Sequence, residues 1–482
     1  KQYTMEVFSL HTSIQRFVEF GTHNLQKAIE KFIYHPENMA DFVKSVQQEV
    51  LKFGLDIISE TLNDCNKFLL ESKERKQKWH VVRTDSKQLL TSIGPVNFNK
   101  TLFKNKVTGK TTYLIDKYLQ IESHERISED AYACLLEEAV QTSYSKAGDN
   151  ASIMDMVSKQ TVMDKIHKLH FPKEHYSGEK KSVEYLYVDA DEDHIALQKN
   201  GEKDSTITKM VYVYEGIEPE TPGSKRNKLL YPHYFCGLYS GENNKKLWIQ
   251  VYRYIEQHYD LSKIKKVYIN ADGGPWIKTA TDYIDKSRHV LDEFHLNKTL
   301  FRMTACLGEA AEEARDRICS LIVAGKRKKL QNLVEEIAEG TDTQAAEKRI
   351  LDGLGYILRN FEAAKTRLRK EKGVLACSAE GHVSHVLSAR MSSRPMAWSL
   401  AGADAMARLR AYRLNGGKMI KLVRLQKKPV EVEEDEIFLT PQQLIAFENK
   451  ARKPYGKYFD SIQCGLSVQT LKKMWLQHSI RI

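Results

Sequence analysis

Three aspartates occupy positions from which they can act together on a substrate. Asp189 and Asp191 close a run of β-forming residues, and Asp272 closes a second run and is followed at once by two glycines and a proline. Because side chains alternate along a strand, Asp189 and Asp191 point to one face of the sheet. Asp272 stands at the carboxyl end of a parallel strand, where ligand sites of open α/β sheets normally lie.

Carboxylates held this close repel one another unless a cation compensates them, and oxygen ligands suit Mg²⁺ or Mn²⁺. Two such ions about 3.5–4 Å apart promote phosphodiester cleavage, one activating the attacking oxygen and the other stabilising the leaving oxygen. The pattern predicts a Mg²⁺ site, in which Mn²⁺ can substitute, formed by Asp191 and Asp272, with Asp189 competing with Asp191 as first ligand. For any single aspartate here, a simple turn-forming role is the alternative.

The elements around these acids predict an α/β domain. Strands are predicted at 183–191, 194–198 and 208–214, followed by a helix at 244–259, a strand at 266–272, a short helix at 275–284 and a strand at 288–294. Three antiparallel strands followed by crossover-connected parallel strands form the order of the ribonuclease H-like fold. In that fold the first and fourth strands are neighbours, which brings Asp272 beside Asp191.

Changes in pattern along the chain predict several further regions. They are an N-terminal helical region (1–76), a β-hairpin region (77–126), a helical segment (127–172), the first part of the catalytic domain (181–295), an all-α insertion (296–372), the last part of the catalytic domain (373–416) and a C-terminal region (417–482). The hairpin is predicted from strands at 101–106 and 111–115 on either side of a turn at Gly109.

The helical segment contains a candidate helix-turn-helix at 142–169. A helix that starts at Ser158 has Val162 and Ile166 on its inner side. Its outward, DNA-facing residues are predicted to be Lys159, Gln160, Thr161 and Lys165. An ordinary amphipathic helix pair explains the same pattern equally well.

Composition limits the classes of protein that remain. The net charge of +11, from 74 Lys and Arg against 63 Asp and Glu, favours a polyanionic partner such as DNA. Seven cysteines without a C-x-x-C pair argue against a disulfide framework or a zinc ribbon. No apolar run approaches the roughly 18–20 residues that cross a bilayer, and the first residues lack the apolar core of a signal peptide. We therefore expect a soluble, cytoplasmic protein.

A third acid is required on a helix that follows the sheet. Glu380 offers one where a helix begins. His382 and His385, with Cys377 nearby, are alternative zinc ligands, but the sequence offers no second pair to close a tetrahedral structural site.

Four motifs, in order and spread over nearly the whole chain, resemble the ISLre family of insertion-sequence transposases, relatives of the Mutator-like group. They are YVDADEDHIALQ at 187–198, INADGGPWI at 269–277, LDEFHL at 291–296, and SAEGHVSH at 378–385 continuing through RPMAWS at 394–399. The resemblance implies a catalytic triad of Asp191, Asp272 and Glu380, and a D-x-x-H signature formed by Asp292 and His295. It also implies an all-α insertion before the last acid.

The resemblance further implies that a bacterial, nucleoid-associated enzyme binds the terminal inverted repeats of double-stranded DNA, cuts a strand and joins its 3′ end to target DNA. Assembly of two ends implies a homodimer or higher oligomer. Trp276 is a candidate for stacking on an unpaired base, and Arg390 and Arg394 for clamping phosphates. Core packing and a solvated surface are their alternatives. A nuclease that cuts without joining and a catalytically silent, transposon-derived DNA-binding protein are the competing functions.

Overall fold

The computed structural model describes residues 11–173, 176–198, 204–224 and 226–427. The described residues divide into two compact units: the first comprises residues 11–138, 145–159 and 426–427, and the second comprises residues 139–144 and the described residues between 160 and 425. None of the helices in the described ranges is long and apolar enough to span a membrane. Most of the predicted C-terminal region, from residue 428 onward, lies outside the described residues.

The first unit is mainly helical, with one helix much longer than the others. Its helices are α1 (Thr12–Arg16), α2 (Thr22–Tyr34), α3 (Met39–Glu71), α4 (Lys73–Lys78), α5 (Leu114–Tyr118), most of α6 (Glu129–Ala139) and most of α7 (Tyr144–Asp149), with a π-helical turn at Phe17–Gly21 and a 3-10 turn at Pro36–Asn38. Ser72 separates α3 from α4, and its hydroxyl caps α4 by accepting from the Arg75 N–H at 3.3 Å.

An antiparallel sheet completes the first unit, with strands β1 (Trp79–Leu90), β2 (Pro95–Asn105) and β3 (Thr111–Tyr113) in the order β1-β2-β3. The main hairpin is β1–β2, closed by Thr91, whose hydroxyl donates to the Gly94 carbonyl at 2.8 Å. The hairpin predicted around Gly109 is present as β2–β3, but β3 has only three residues because α5 begins at Leu114.

The second unit is built on a five-stranded mixed sheet. Its elements through the sheet are α8 (Lys159–His167), β4 (Tyr185–Leu197), β5 (Asp204–Tyr214), β6 (Gly216–Pro219), β7 (Asn227–Leu230), β8 (His233–Gly237), α9 (Asn243–His258), β9 (Lys266–Ala271), α10 (Pro275–Lys278), a 3-10 turn at Thr279–Asp282, and β10 (Ser287–Leu291). The strand order is β10-β9-β4-β5-β8. Strands β9 and β10 run parallel to β4. Strand β5 pairs antiparallel with β4, and β8 pairs antiparallel with β5; β6 and β7 form a separate hairpin.

The antiparallel strands differ from the prediction. The two strands predicted at 183–191 and 194–198 are one continuous strand, β4, because the polar residues between them pair with β5 without a break. The third antiparallel strand is β8, which was not predicted. A five-residue strand directly after Pro232 offers too little alternation to be recognised from sequence.

The two faces of this sheet have different characters. One face packs against α9 through a core that includes Val188, Val213 and Trp248, all fully buried. The opposite face carries stacked tyrosines, with Tyr187 and Tyr214 at 5.2 Å between ring centroids. Asp189 lies on this tyrosine face, because it pairs with Tyr212 in the register of β4 and β5.

A helical insertion follows β10 and has its own core. It comprises α11 (Glu293–Thr304), α12 (Ala311–Val323), α13 (Arg327–Glu339), α14 (Gln344–Arg359) and α15 (Phe361–Leu368), with a 3-10 turn at Ala305–Ala310. The described chain ends with α16 (Ala379–Val383), a π-helical turn at Ser384–Ser388, α17 (Ala389–Met391), α18 (Leu400–Leu414) and α19 (Met419–Gln426). Helix α15 packs on β10 and α18 packs on β8.

The predicted helix-turn-helix corresponds to α7 and α8. Most of α7 belongs to the first compact unit, whereas α8 from Gln160 onward belongs to the second. Val162 and Ile166 are fully buried on the inner side of α8. Lys159 and Gln160 are exposed, and Thr161 and Lys165 are half-buried.

Candidate metal centre

Asp191 lies on β4, and Asp272 directly follows the parallel strand β9. The paired register of β4 and β9 ends with Asp189 opposite Asn270, and Asp191 and Asp272 each come two residues later, close enough for the charge of Asp272 to act on Asp191. Burial raises the pKa of Asp191 to about 6, and the Asp272 carboxylate contributes to this rise, although a hydrogen bond from the Glu192 N–H opposes it. A partly buried carboxylate beside a second carboxylate is an arrangement that a bound cation would stabilise.

A third aspartate extends this row onto β10. Asp292 follows that strand directly, and its N–H donates to the Ala271 carbonyl at 2.8 Å. Its carboxylate caps α11 and lies 2.7 Å from Nδ1 of His295. Burial raises the pKa of Asp292, but interactions with His295 outweigh this and leave that pKa below its ordinary value. The hydrogen bond to Asp292, aided by the charges of Asp272 and Asp191, raises the pKa of His295. The His295 imidazole therefore contacts Asp292 and lies close enough to Asp272 and Asp191 for their charges to act on it.

The loop that carries Asp272 requires a glycine at position 273. Gly273 has a φ of 94°, and a Cβ there would lie 2.6 Å from the amide atoms of Asn360. The Gly274 N–H donates to Oδ1 of Asp272 at 2.9 Å, and the Tyr356 hydroxyl donates to the Asp272 carbonyl at 2.6 Å. These contacts fix the carboxylate at the end of β9.

Asp189 is fully buried, and the protein itself occupies both of its oxygens. Oδ1 accepts from Asn270 Nδ2 at 2.7 Å and from the Tyr214 hydroxyl at 3.1 Å. Oδ2 accepts from the Tyr212 hydroxyl at 2.8 Å, from the Ser378 N–H at 3.0 Å and from the Ser378 hydroxyl at 3.4 Å. Burial raises the pKa of Asp189, and these bonds work against that rise. The network ties β4 to β9, β5 and the start of α16.

Glu380 lies on α16 and is exposed. Two serines attach the surrounding segment to β4 on either side of Asp191. Ser378 binds the buried aspartate two residues before it, and the Ser392 hydroxyl donates to Asp193, two residues after it, at 2.8 Å. The Glu380 carboxylate makes no hydrogen bond or ion pair with another described residue. It is therefore carried by a segment anchored to the strand of Asp191.

Among the described residues, one group of three ligating side chains has all its donor atoms within 4.8 Å, namely His11, Glu60 and Asp64 of the first unit. The donor atoms of the predicted catalytic triad are thus farther apart than that. The Glu60 carboxylate accepts from the N–H groups of Thr12 and Ser13, each at 2.7 Å, and so caps α1. This group is explained by the attachment of α1 to α3.

Arg390 does not lie where a phosphate-clamping arginine was predicted. It is buried, its Nε donates to the Ala139 carbonyl at 2.9 Å, and its guanidinium lies over the rings of Trp398 and Tyr144, at 4.9 and 5.7 Å. Burial lowers its pKa to about 10. A guanidinium enclosed in this way is not placed to clamp a phosphate, whereas Arg394 is exposed.

Trp276 packs at the edge of the core. Its ring stacks on Trp248 at 5.7 Å, its carbonyl accepts from the Trp248 indole at 2.9 Å, and Lys209 Nζ lies 4.6 Å from its ring centroid. Core packing, which the sequence left open as the alternative to stacking on a base, thus accounts for the position of this tryptophan.

His382 belongs to the tyrosine face of the sheet. Its ring lies 4.7 Å from that of Tyr212, and its Nδ1 is 2.9 Å from the Tyr234 hydroxyl. Burial lowers the pKa of His382, and burial raises that of the Cys377 thiol. His385 is exposed. These contacts give His382 a packing role, and the three candidate zinc ligands do not form a close group among the described residues.

Sequence reasoning missed the buried support of the site. Tyr212, Tyr214 and Ser378 bind Asp189, and the amide oxygen of Asn270 accepts from Arg367 at 3.1 Å. The i, i+2 spacing of the two tyrosines beside the Asp-Ala-Asp strand was a usable signal, because it places both hydroxyls on one face. Arg367, which comes from the insertion, gave no such signal.

The second unit is thus an α/β protein unit with a row of acidic residues at the carboxyl edge of a mixed sheet. The chain belongs to the uncharacterised protein family UPF0236, whose family model matches residues 36–429. A relative from Caldanaerobacter subterraneus subsp. tengcongensis is 34% identical over 410 residues, 85% of each chain, and carries eleven gene labels under one name. A second UPF0236 protein of that organism is 36% identical over 394 residues, 82% of each chain.

The raised pKa of Asp191 gives the metal-free protein a defined pH dependence. Because this pKa is about 6 in the folded chain against an ordinary 3.8, folding takes up a proton between these values. Asp191 therefore destabilises the fold above pH 6, and the penalty disappears as the pH falls toward about 4. We expect Asp191→Asn to melt at a higher temperature than the wild type above pH 6, and this difference to shrink as the pH falls toward about 4. Thermal denaturation in EDTA measures it, and a difference independent of pH would contradict the assignment.

Proposed function

We propose that this protein is a DDE transposase of the ISLre type, which binds the terminal inverted repeats of an insertion sequence and catalyses strand cleavage and strand transfer. The observation that carries the proposal is the placement of Asp191 beside Asp272 at the carboxyl edge of the sheet. The proposed substrates are double-stranded terminal and target DNA, and the proposed assembly is a homodimer or higher oligomer on DNA.

The strand order supports a ribonuclease H-like fold for the second unit. On one side of β4 lie β5 and β8, joined in the antiparallel order β4-β5-β8, and on the other side lie β9 and β10, which are parallel to β4. The helical insertion follows the fifth strand of this sheet and precedes Glu380. This is the arrangement that the resemblance implies.

The donor set fits Mg²⁺, with Mn²⁺ as a substitute. Asp191 and Asp272 would be its strand-borne ligands, and Glu380 would be the helix-borne one. Bound Mg²⁺ supplies activation of the attacking water or 3′-hydroxyl and stabilisation of the leaving oxygen. The filled hydrogen bonds of Asp189 favour Asp191 as the first ligand, because Asp189 has a packing role already. Asp189 and Ser378 hold the segment that bears Glu380 against β4.

The number of gene labels that the relatives carry supports the proposal that the gene is mobile. One relative carries eleven gene labels within a single organism, and another carries four. Repeated copies in one genome are expected of an element that moves itself, whereas a housekeeping nuclease or a silent DNA-binding protein has no need of them. The net charge of +11 is consistent with DNA as the partner.

The direct test uses the purified protein with duplex oligonucleotides bearing the ends of the surrounding element. With Mg²⁺ we expect cleavage at the 3′ end of the element and joining of that end to a second duplex. Denaturing gel electrophoresis separates and measures the two products. An identical reaction in EDTA should give neither product. Cleavage without joined product would support the nuclease alternative, and DNA binding without either product would support the silent protein.

A further inference from the structure

A cavity of about 280 Å³ adjoins the loop that carries Asp272. Its walls are the two glycines that follow Asp272, the short helix α10, and the junction between α14 and α15. Its charged and polar lining residues are Lys278, Thr281, His289, Arg327, Arg359, Asn360 and Glu362. A cavity lined by basic residues therefore reaches Gly273, the residue that follows the proposed metal ligand Asp272.

Three of the cations in this cavity lack a carboxylate partner. Lys278, Arg327 and Arg359 form no ion pair with a described residue, and the one acidic lining residue, Glu362, pairs with Lys365 at 3.1 Å. Lys278 Nζ instead donates to the Arg359 carbonyl at 2.9 Å, and Arg327 donates to a carbonyl in the last turn of α14 at 3.0 Å. Burial, followed by the charge of Arg359, lowers the pKa of Lys278. Positive charge without a counter-charge is what an anion site requires.

The backbone and one buried amide add to this wall. Asn360, the N-cap residue of the eight-residue α15, and the first three residues of that helix, Phe361 to Ala363, line the cavity. The N–H groups in the first turn of a helix have no partner within that helix. Asn360 is 5% exposed, and its Oδ1 has no hydrogen-bond partner among the described residues. That oxygen needs a donor, which the phosphate and the sugar of a DNA strand both lack and the amino group of a base supplies.

We propose that this cavity binds the phosphate and the base edge of a DNA nucleotide adjacent to the one being cut. The inference rests on the proposed function, because it takes DNA as the substrate. The cavity is several times the roughly 30 Å³ that a water molecule occupies in the liquid, which leaves room for such a group. A phosphate held by Lys278, Arg327 and Arg359 sets the register of the strand, so that the next phosphate lies at Asp191 and Asp272.

The test measures binding of a fluorescein-labelled single-stranded oligonucleotide to the full chain by anisotropy in EDTA, at several salt concentrations. For the double variant Lys278→Gln, Arg359→Gln we expect affinity to fall about tenfold and the salt slope to fall by about 0.7–0.9. The matched control is Lys329→Gln, which removes an exposed charge on α13 away from the cavity and should change the affinity less than twofold.

Arg327→Gln provides a second variant at an exposed position, for the case in which the double variant does not fold. We expect it alone to weaken binding about threefold and to retain the wild-type melting temperature. Unchanged affinity and salt slope in both cavity variants would overturn the proposal, even if the protein cleaves DNA. Weakened binding without any cleavage by the wild type would instead keep the cavity assignment and reject the transposase.

Discussion

Asp191→Asn and Asp272→Asn should each reduce Mg²⁺-dependent DNA cleavage by on the order of 10³-fold or more, without unfolding the protein. Each substitution removes one of two adjacent carboxylates at the carboxyl edge of the sheet, and several kcal/mol of transition-state stabilisation depend on ions held there. Both side chains are partly exposed, and neither supports a core contact. Cleavage rates measured with Mg²⁺ and with Mn²⁺ under single-turnover conditions give the loss directly.

The matched control is Asp193→Asn, which lies two residues beyond Asp191 on the same face of β4 and accepts from Ser392. We expect it to retain cleavage within about tenfold of the wild type. Cleavage that survives both Asp191→Asn and Asp272→Asn would reject the proposed metal site.

The same assay decides the third acid. Glu380→Gln should lose cleavage as Asp191→Asn does, because we propose Glu380 as the ligand from α16. Asp292→Asn is the informative comparison, since Asp292 lies in the same row of acids but binds His295. Loss of cleavage in Asp292→Asn together with full activity in Glu380→Gln would assign the third metal ligand to Asp292, at the end of β10, and not to Glu380 on α16.

The adjacency of Asp191 and Asp272 could be predicted because it depends on two regular features of protein chains. Side-chain alternation fixes the face of a strand, and parallel pairing of the first and fourth strands fixes the neighbour. The structure has both, with Asp189 opposite Asn270 in the observed register. The helical character of 296–372 was equally accessible, since its helices carry strong apolar periodicity.

The parts that sequence could not supply depend on contacts between distant segments. The burial of Arg390 follows from Ala139 and Trp398, which are 251 and 8 residues away along the chain. The sequence could not distinguish the roles of Asp189 and Asp191, because side-chain alternation predicts the face of the sheet on which a residue lies but not how deeply it is buried. Ser378, 189 residues further along the chain, joins Tyr212, Tyr214 and Asn270 in covering Asp189, whereas Asp191 stays partly exposed.

Asp189→Asn is therefore expected to destabilise the fold, in contrast to Asp191→Asn on the same strand. Asp189 accepts hydrogen bonds from the side chains of Tyr212, Tyr214 and Asn270 and from Ser378, and an asparagine would turn an NH₂ group toward some of these donors. Leaving buried donors unsatisfied costs about 2–4 kcal/mol in the free energy of unfolding.

Urea denaturation at pH 7 in EDTA measures both variants against the wild type. We expect Asp191→Asn to be at least as stable as the wild type, because it removes a raised-pKa carboxylate from beside Asp272. Tyr214→Phe, which removes one of the bonds to Asp189, should cost about 1 kcal/mol and calibrate the comparison. If instead Asp189→Asn were as stable as the wild type and Asp191→Asn were not, the two aspartates would have to exchange roles. Asp189 would then be the open carboxylate available to a metal ion.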